Sequence, residues 1–274
     1  MPRGIAVSAH SATGRVRALN EDSYLAVDPV FFVADGMGGH AFGDRASQAA
    51  VATLAELIPA GSEPTPAEVL AAVAAANTAV RALSSPGDTG PAVAGTTLSG
   101  VVRVATENGP RWMVVNVGDS RVYSWNGRTL QQLTVDHSAV QELIDTGLLT
   151  AAEAVGHPER NVITRALGAD THAEPDVWIL PLDAVHTFLI CSDGLTKELP
   201  EELIAGILSG DVVLGSAPEG TIAQHLVEAA DAAGGHDNIT AVVIESHPEE
   251  ACEDVDETRD RPGTGVLEET RPRG

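Results

Sequence analysis

Apolar positions along the chain fall into two rhythms. Some are short, near-continuous runs and some recur every three or four residues. SYLAV (23–27) and VFFVA (30–34) are runs of the first kind and predict buried strands. From Asp44 to Leu57 the pattern turns helical, with Ala46, Ala50, Thr53, Leu54 and Leu57 on one face. Thr65-Pro66-Ala67-Glu68 is a capping box with proline at the first helical position. It opens a helix reaching Leu83, with Val69, Val73, Ala76, Val80 and Leu83 at helical spacing. Strand patterns follow at 96–104, 111–117 and 120–125. Asn126-Gly127 predicts a type I′ hairpin returning through RTLQQL (128–133). A helical and loop-like stretch runs from Asp136 to Gly168 and holds a second capping box, Thr150-Ala151-Ala152-Glu153. Strands at 175–181 and 187–191 precede helices near 200–209 and 218–233, and ITAVVIE (239–245) is the last strand. Consecutive strands with helices set apart in pairs predict an α+β layered architecture rather than a parallel βαβ sheet.

Periodicity stops after residue 245, which sets the expected domain at 1–245 and a tail at 246–274. The tail carries nine acids and four arginines, net −5, with few apolar residues, a composition that predicts disorder. Its near-repeat, DETRDRP and EETRPRG, sets Thr258 and Thr270 between an acid pair and an arginine. Both are candidate phosphorylation sites beside the simpler reading of a solvated tail.

Charge narrows the function classes. Sixteen basic residues against 39 acidic ones give −23, which argues against nucleic acid and against an anionic membrane surface. The excess is not a tail effect, since −23 less −5 leaves −18 in the domain. Lys197 is the single lysine among those bases. No run approaches the length of a membrane span, and the first residues lack the apolar core of a secretory signal. Cys191 lies in an apolar run and Cys252 in the tail, so no disulfide framework is expected and a reduced cytoplasmic protein is the simple reading; a monomer is expected besides.

The acids also sit at special places. Asp35 follows VFFVA and precedes Gly36, Asp119 follows VVNVG, and Asp193 follows FLICS and precedes Gly194. Asp237 precedes the last strand, and Glu21-Asp22 precede SYLAV. Any one is an ordinary turn acid. Together, if those strand ends converge, they make a carboxylate cluster, which needs raised pKa values or a cation. Oxygen-only ligands select hard ions, Mg²⁺ or Mn²⁺.

GRVRALNEDSYLAV (14–27), FFVADGMGGH (31–40), GTTLSG (95–100), NVGDSRVY (116–123), LTVDHS (133–138), VITRALG (162–168), LICSDGL (189–195) and HDNITAVVI (236–244) stand in this order. With them the chain resembles the type 2C metal-dependent protein serine/threonine phosphatases (the PPM family), most closely the bacterial branch. The resemblance implies a four-layer α-β-β-α sandwich, two antiparallel sheets each flanked by a helix pair. It implies two core Mn²⁺ or Mg²⁺ ions, with Asp35 bridging them, Asp193 and Asp237 on the first, and the Gly36 carbonyl on the second. Glu21 and Asp22 would hold the second ion's waters, and Asp119 with Asp193 a third, weaker ion. Arg17 matches the phosphate-binding arginine, whose planar guanidinium suits bidentate contact with phosphate oxygens.

The implied activity is hydrolysis of phosphoserine and phosphothreonine in proteins by a metal-bridging hydroxide, opposing bacterial Ser/Thr kinases. Two ions about 3.5–4 Å apart lower the pKa of a shared water, and no phosphoenzyme is needed, so Cys191 need not be a nucleophile. Met37 stands where the eukaryotic branch has a histidine, so the proton donor is either His40 or a bound water. Arg160 and Arg165, in the variable flap, are candidates to meet substrate, with an ordinary surface role preferred for Arg160. Arg121 is expected to hold a nearby carboxylate, and His137 is assigned no role. The alternative is a catalytically silent module of the same fold that binds phosphoproteins; a phosphatase of small phosphate esters would share the chemistry. Retention of Asp35, Asp119, Asp193 and Asp237 favours catalysis.

Overall fold

The computed structural model describes residues 4–38, 42–84, 94–182, 187–212 and 220–246. In chain order the elements begin with β1 (Ile5–Ala12), β2 (Asp22–Val27), β3 (Val30–Met37), α1 (Gly43–Leu57) and α2 (Pro66–Arg81). Then come β4 (Gly95–Thr96), β5 (Leu98–Thr106), β6 (Gly109–Val117), β7 (Arg121–Trp125) and β8 (Leu130–Gln132). The flap holds α3 (Ala139–Asp145) and α4 (Ala151–Ala154). β9 (Asp176–Pro181), β10 (Thr187–Cys191), α5 (Asp193–Glu198), α6 (Glu201–Leu208), α7 (Ile222–Ala233) and β11 (Ile239–Ser246) complete the described chain.

The strands form two antiparallel sheets. One runs β1-β11-β10-β7-β8 and the other β2-β3-β5-β6-β9, with β4 paired to β3. Side-chain alternation explains the layers. In β3, Phe31 and Val33 point into the space between the sheets, while Val30, Phe32 and Ala34 pack under α1 and α2. In β10, Phe188 and Ile190 point inward while Leu189 and Cys191 pack under α5–α7. Three cores therefore separate four layers, α-β-β-α, as expected. Both faces of the central strands are covered, so their sequences read as continuous apolar runs with the period of two hidden. Trp112 on β6 meets Phe188 on β10 edge-on at 5.2 Å between ring centroids, joining the two sheets. Such a pair adds about 0.5–1.5 kcal/mol beyond area burial.

Local expectations survive with informative differences. Both capping boxes are formed, at Thr65/Glu68 and Thr150/Glu153. Leu57 is exposed and Ile58 buried, because the helix ends at Leu57 and Ile58 has left helical geometry. The strand expected over 96–104 is broken at Thr97, where β4 and β5 meet. The hairpin at Asn126-Gly127 has four loop residues, since Trp125 pairs with Leu130. Asn126 Oδ1 accepts from the N–H groups of Arg128 and Thr129, an Asx-type turn that replaces the two-residue type I′ loop. The edge strand β1 and the short helix α5 are elements that the periodicity did not announce. α5 adds a third helix to the pair expected over its sheet, and six residues are too few to show a helical period.

Candidate active site

The strand ends do converge. Asp22 opens β2 and lies opposite Asp35 in the β2–β3 register. Asp119 follows β6, Asp193 follows β10 and begins α5, and Asp237 lies just before β11. These places share one end of the sandwich. Asp35 is held well above the ordinary carboxylate range, first by burial and then by the charges of Asp22, Asp193, Asp119 and Asp237. Asp22 and Asp119 are each pushed up to about 7, burial again leading. Asp193 is raised by burial against the opposing pull of Lys197, and Glu21 is raised by burial.

Each acid is positioned by a nameable local cause. β3 continues through Asp35 to Met37, so Asp35 is held in strand geometry rather than in a turn. Its N–H donates to Thr97 Oγ1 at 2.9 Å, and its carbonyl accepts from Thr97 N–H and the Thr96 hydroxyl, leaving the carboxyl to point at its neighbours. The next residue must be glycine, because a Cβ on Gly36 would overlap the Gly43 carbonyl oxygen. Gly194 is constrained likewise by the Asn238 carbonyl, which lets α5 start directly against the Asp237 segment. Asp22 Oδ2 accepts from the hydroxyls of Ser192 and Thr240, both at 2.7 Å, which links β2 to the other sheet. The Glu21 backbone N–H is bound by the Asn238 side chain at 2.8 Å, and the Glu21 carboxylate faces the Gly43 backbone.

His137 proves to be a positioning residue for Asp119. The Gly118 N–H donates to His137 Nδ1 at 3.1 Å and the His137 N–H returns to the Gly118 carbonyl at 3.0 Å. Nδ1 is thus the acceptor, and the Nε2–H donates to Asp176 at 3.2 Å. Arg165 also binds Asp176, at 2.9 Å, so it supports the turn from behind. Arg121 grips Asp136 through two guanidinium nitrogens, the carboxylate-holding role expected of it. Arg17, half exposed, reaches Asp237 at 2.9 Å.

Lys197 was missed in the sequence. Its ammonium pairs with Asp193, one helical turn earlier on α5, and lies 3.5 Å from Asp237. The sequence gives this lone lysine no role, and only the direction of α5 turns it back onto the acids.

Divalent ions fit this donor set by chemistry. Asp22 Oδ1, Asp119 Oδ1 and Asp193 Oδ1 are buried and have no hydrogen-bond partner. An unpartnered buried carboxylate oxygen costs at least 1–3 kcal/mol by rough reckoning, and a hard cation removes that cost. As they stand, no three or more His, Cys, Asp or Glu among the described residues are placed to hold an ion together, because the lysine and arginine lie against the carboxylates. A cavity of about 940 Å³ opens above them, lined by Arg17, Asp119, Asp193 and Asp237 on one side and by Ile144, Val155 and Arg160 from the flap on the other. His40, Thr258 and Thr270 lie outside the described residues. Cys191 is fully buried under the helices and its thiol is pushed up to about 12 by burial, which makes it an inert core residue.

Comparison with known proteins gives the family. The family model for protein phosphatase 2C matches residues 12–253. The serine/threonine phosphatase stp of Listeria welshimeri is 34% identical over 242 residues, 85% of this chain and 92% of that protein. The crystal structure of the PPM Ser-Thr phosphatase MsPP from Mycobacterium smegmatis, in complex with cacodylate, superposes with a TM-score of 0.73 at 39% identity, over 88% of this chain and 98% of that one. The catalytic domain of the serine/threonine protein phosphatase PstP, solved with two manganese ions, does so with a TM-score of 0.73 at 37% identity, over 89% and 99%.

Proposed function

The chain belongs to the protein phosphatase 2C family, and on that premise we propose that it is a metal-dependent protein serine/threonine phosphatase whose site is the carboxylate cluster at the sheet ends. The observation that carries this reading is the convergence of three unpartnered, buried carboxylate oxygens, on Asp22, Asp119 and Asp193, beside Asp35. Residues 1–245 are read as the catalytic domain and 246–274 as an appended acidic tail.

Asp35, Asp193 and Asp237, with the Gly36 carbonyl, would hold the two core ions, and Glu21 and Asp22 would order water about the second. Asp119 with Asp193 would hold a third. When bound, two manganese or magnesium ions would supply Lewis acidity toward phosphoryl oxygens and a water made nucleophilic at neutral pH. Arg17 leaves Asp237 for the phosphoryl group, where its planar fork orients two oxygens and offsets the charge that grows in the transition state. The water oxygen joins phosphorus as the bond to the serine or threonine oxygen breaks, which releases the alcohol and inorganic phosphate. The proton donor to that leaving oxygen is His40 or a bound water. The flap side of the cavity takes the peptide flanking the phosphorylated residue, with Arg160 facing it. The substrates are phosphoproteins, products of Ser/Thr kinases, and the catalyst works as a monomer in the cytoplasm. Among the described residues no helix is long and apolar enough to cross a membrane. Thr258 and Thr270 would be marked by such a kinase, which mass spectrometry of the incubated protein reads directly.

The test is hydrolysis of a phosphothreonine peptide with Mn²⁺, with Mg²⁺ and with excess chelator. Activity should require the ion, and Asp237→Asn or Asp35→Asn should lower kcat by about 100-fold or more. Full turnover in chelator would overturn the reading. The silent-module alternative finds no support, since the core acids are all in place and the relatives are named as phosphatases.

A further inference from the structure

The unusual group at the site is the lysine. The chain has 16 basic residues and a single one, Lys197, is lysine. It lies among the acids without being one of the residues that the phosphatase reading uses. Its position on α5, four residues after Asp193, brings the ammonium back onto that carboxylate, and Asp237 is 3.5 Å away. Asp119 is near enough for its charge to act on the same ammonium. Meanwhile Asp119 Oδ1 and Asp193 Oδ1 are buried and have no hydrogen-bond partner. Asp193 therefore has one oxygen engaged by lysine and the other unmet, while Asp119, 8% exposed, has an unmet oxygen of its own.

An ammonium is a compact, hard cation with three donors, suited to oxygen ligands that also take Mg²⁺ or Mn²⁺. Being attached to the same helix as Asp193, it does not diffuse away, so it competes at a high effective concentration. A divalent ion entering between Asp119 and Asp193 has to meet a carboxylate already paired and a positive charge already in place. The lysine also meets Asp193 and Asp237 of the core set, but the core ions would draw besides on Asp35 and the Gly36 carbonyl, which it does not touch, whereas the Asp119–Asp193 site has a single carboxylate outside the lysine's ion pairs.

We propose that Lys197 is a tethered counter-cation that competes with a divalent ion for the Asp119–Asp193 site, so that this site fills only at higher ion concentration than the sites about Asp35. The inference rests on the metal-dependent reading above and adds a regulator to it. In low divalent ion the lysine holds the cluster together. In high divalent ion it is displaced toward the cavity, where it joins Arg17 in facing an incoming phosphate.

A single lysine makes this measurable without mutation. The full chain, labelled with ¹⁵N at the lysine side chain, should give one ammonium resonance. Mg²⁺ is titrated in while calorimetry follows binding. The resonance should stay in place through the tighter binding phase and move with the weaker one. In Lys197→Met the weaker phase should tighten by on the order of tenfold, while Lys197→Arg should keep it weak. A resonance that does not move through a weak phase seen by calorimetry overturns the proposal, and so does a weak phase in a folded Lys197→Met protein that is unchanged from wild type. If the Met variant does not fold, the wild-type resonance decides alone. Absence of any Mg²⁺ binding would overturn the metal-dependent reading itself and this inference with it, a result distinct from binding without lysine displacement.

Discussion

Asp119→Asn should raise the stability of the metal-free protein at pH 8 and lose that advantage at pH 5. Asp119 is 8% exposed and its carboxyl is pushed from 3.8 up to about 7, mainly by burial and then by Asp193 and Asp136. The unfolded chain gives up this proton near its ordinary value. Between roughly pH 4 and 7 the folded state therefore binds more protons than the unfolded state, and stability falls as pH rises; above about 7 the loss is complete. The gap of about three pH units corresponds to a ceiling of about 4 kcal/mol. A buried amide lacking full hydrogen bonding gives back about 1–3 kcal/mol of that. The net expectation at pH 8 is a gain of about 2 kcal/mol, or about 4–8 °C in Tm for a domain of this size. The assay is thermal unfolding in chelator at pH 5 and pH 8, with wild type and variant side by side. With saturating Mn²⁺ the order should reverse, because the ion stabilises wild type through a carboxylate that the variant lacks. A variant destabilised equally at both pH values in chelator would refute the view that buried charge repulsion strains this site.

Cys191→Ala should keep kcat for a phosphothreonine peptide within about twofold while lowering stability by about 1–2 kcal/mol; abolished turnover in a folded protein would point to a thiol nucleophile. Gly194→Ala forces a Cβ onto the Asn238 carbonyl and should cost about 1–3 kcal/mol, read as a lowered denaturant midpoint, with metal affinity falling because Asp193 moves. His137→Ala leaves the Gly118 N–H without its acceptor and should cost about 1–3 kcal/mol, with ion binding at Asp119 weakened more than binding at Asp35, as calorimetry can resolve.

Much of the architecture was legible because each strand and helix obeys a local rule. VFFVA is apolar at every position because both faces of β3 are covered, and Thr65 to Glu68 is a complete capping signal within four residues. β1 and α5 were not legible for opposite reasons: β1 is an edge strand of small, mixed residues, and α5 is too short for a period to show. The acids were legible as a set, since glycine beside aspartate at strand ends is a local pattern. Their supporting residues were not. His137 binds Gly118 across 19 residues and Asp176 across 39, and no local pattern reports such distances.

Composition and order of motifs alone determined the α+β class, the acid-rich character and the residue types available for hard cations, because these depend on side-chain chemistry and short-range periodicity. Only the tertiary structure decided that Asp22 faces Asp35, that Asp22 is shared with Ser192 and Thr240 of the other sheet, and that the one lysine turns back onto Asp193. Those facts follow from strand register, from the packing of two sheets, and from the direction of a six-residue helix. The electrostatics of the cluster arise there, since charges act through space and a sequence separation of more than 200 residues between Asp22 and Asp237 is no barrier once the strands pair.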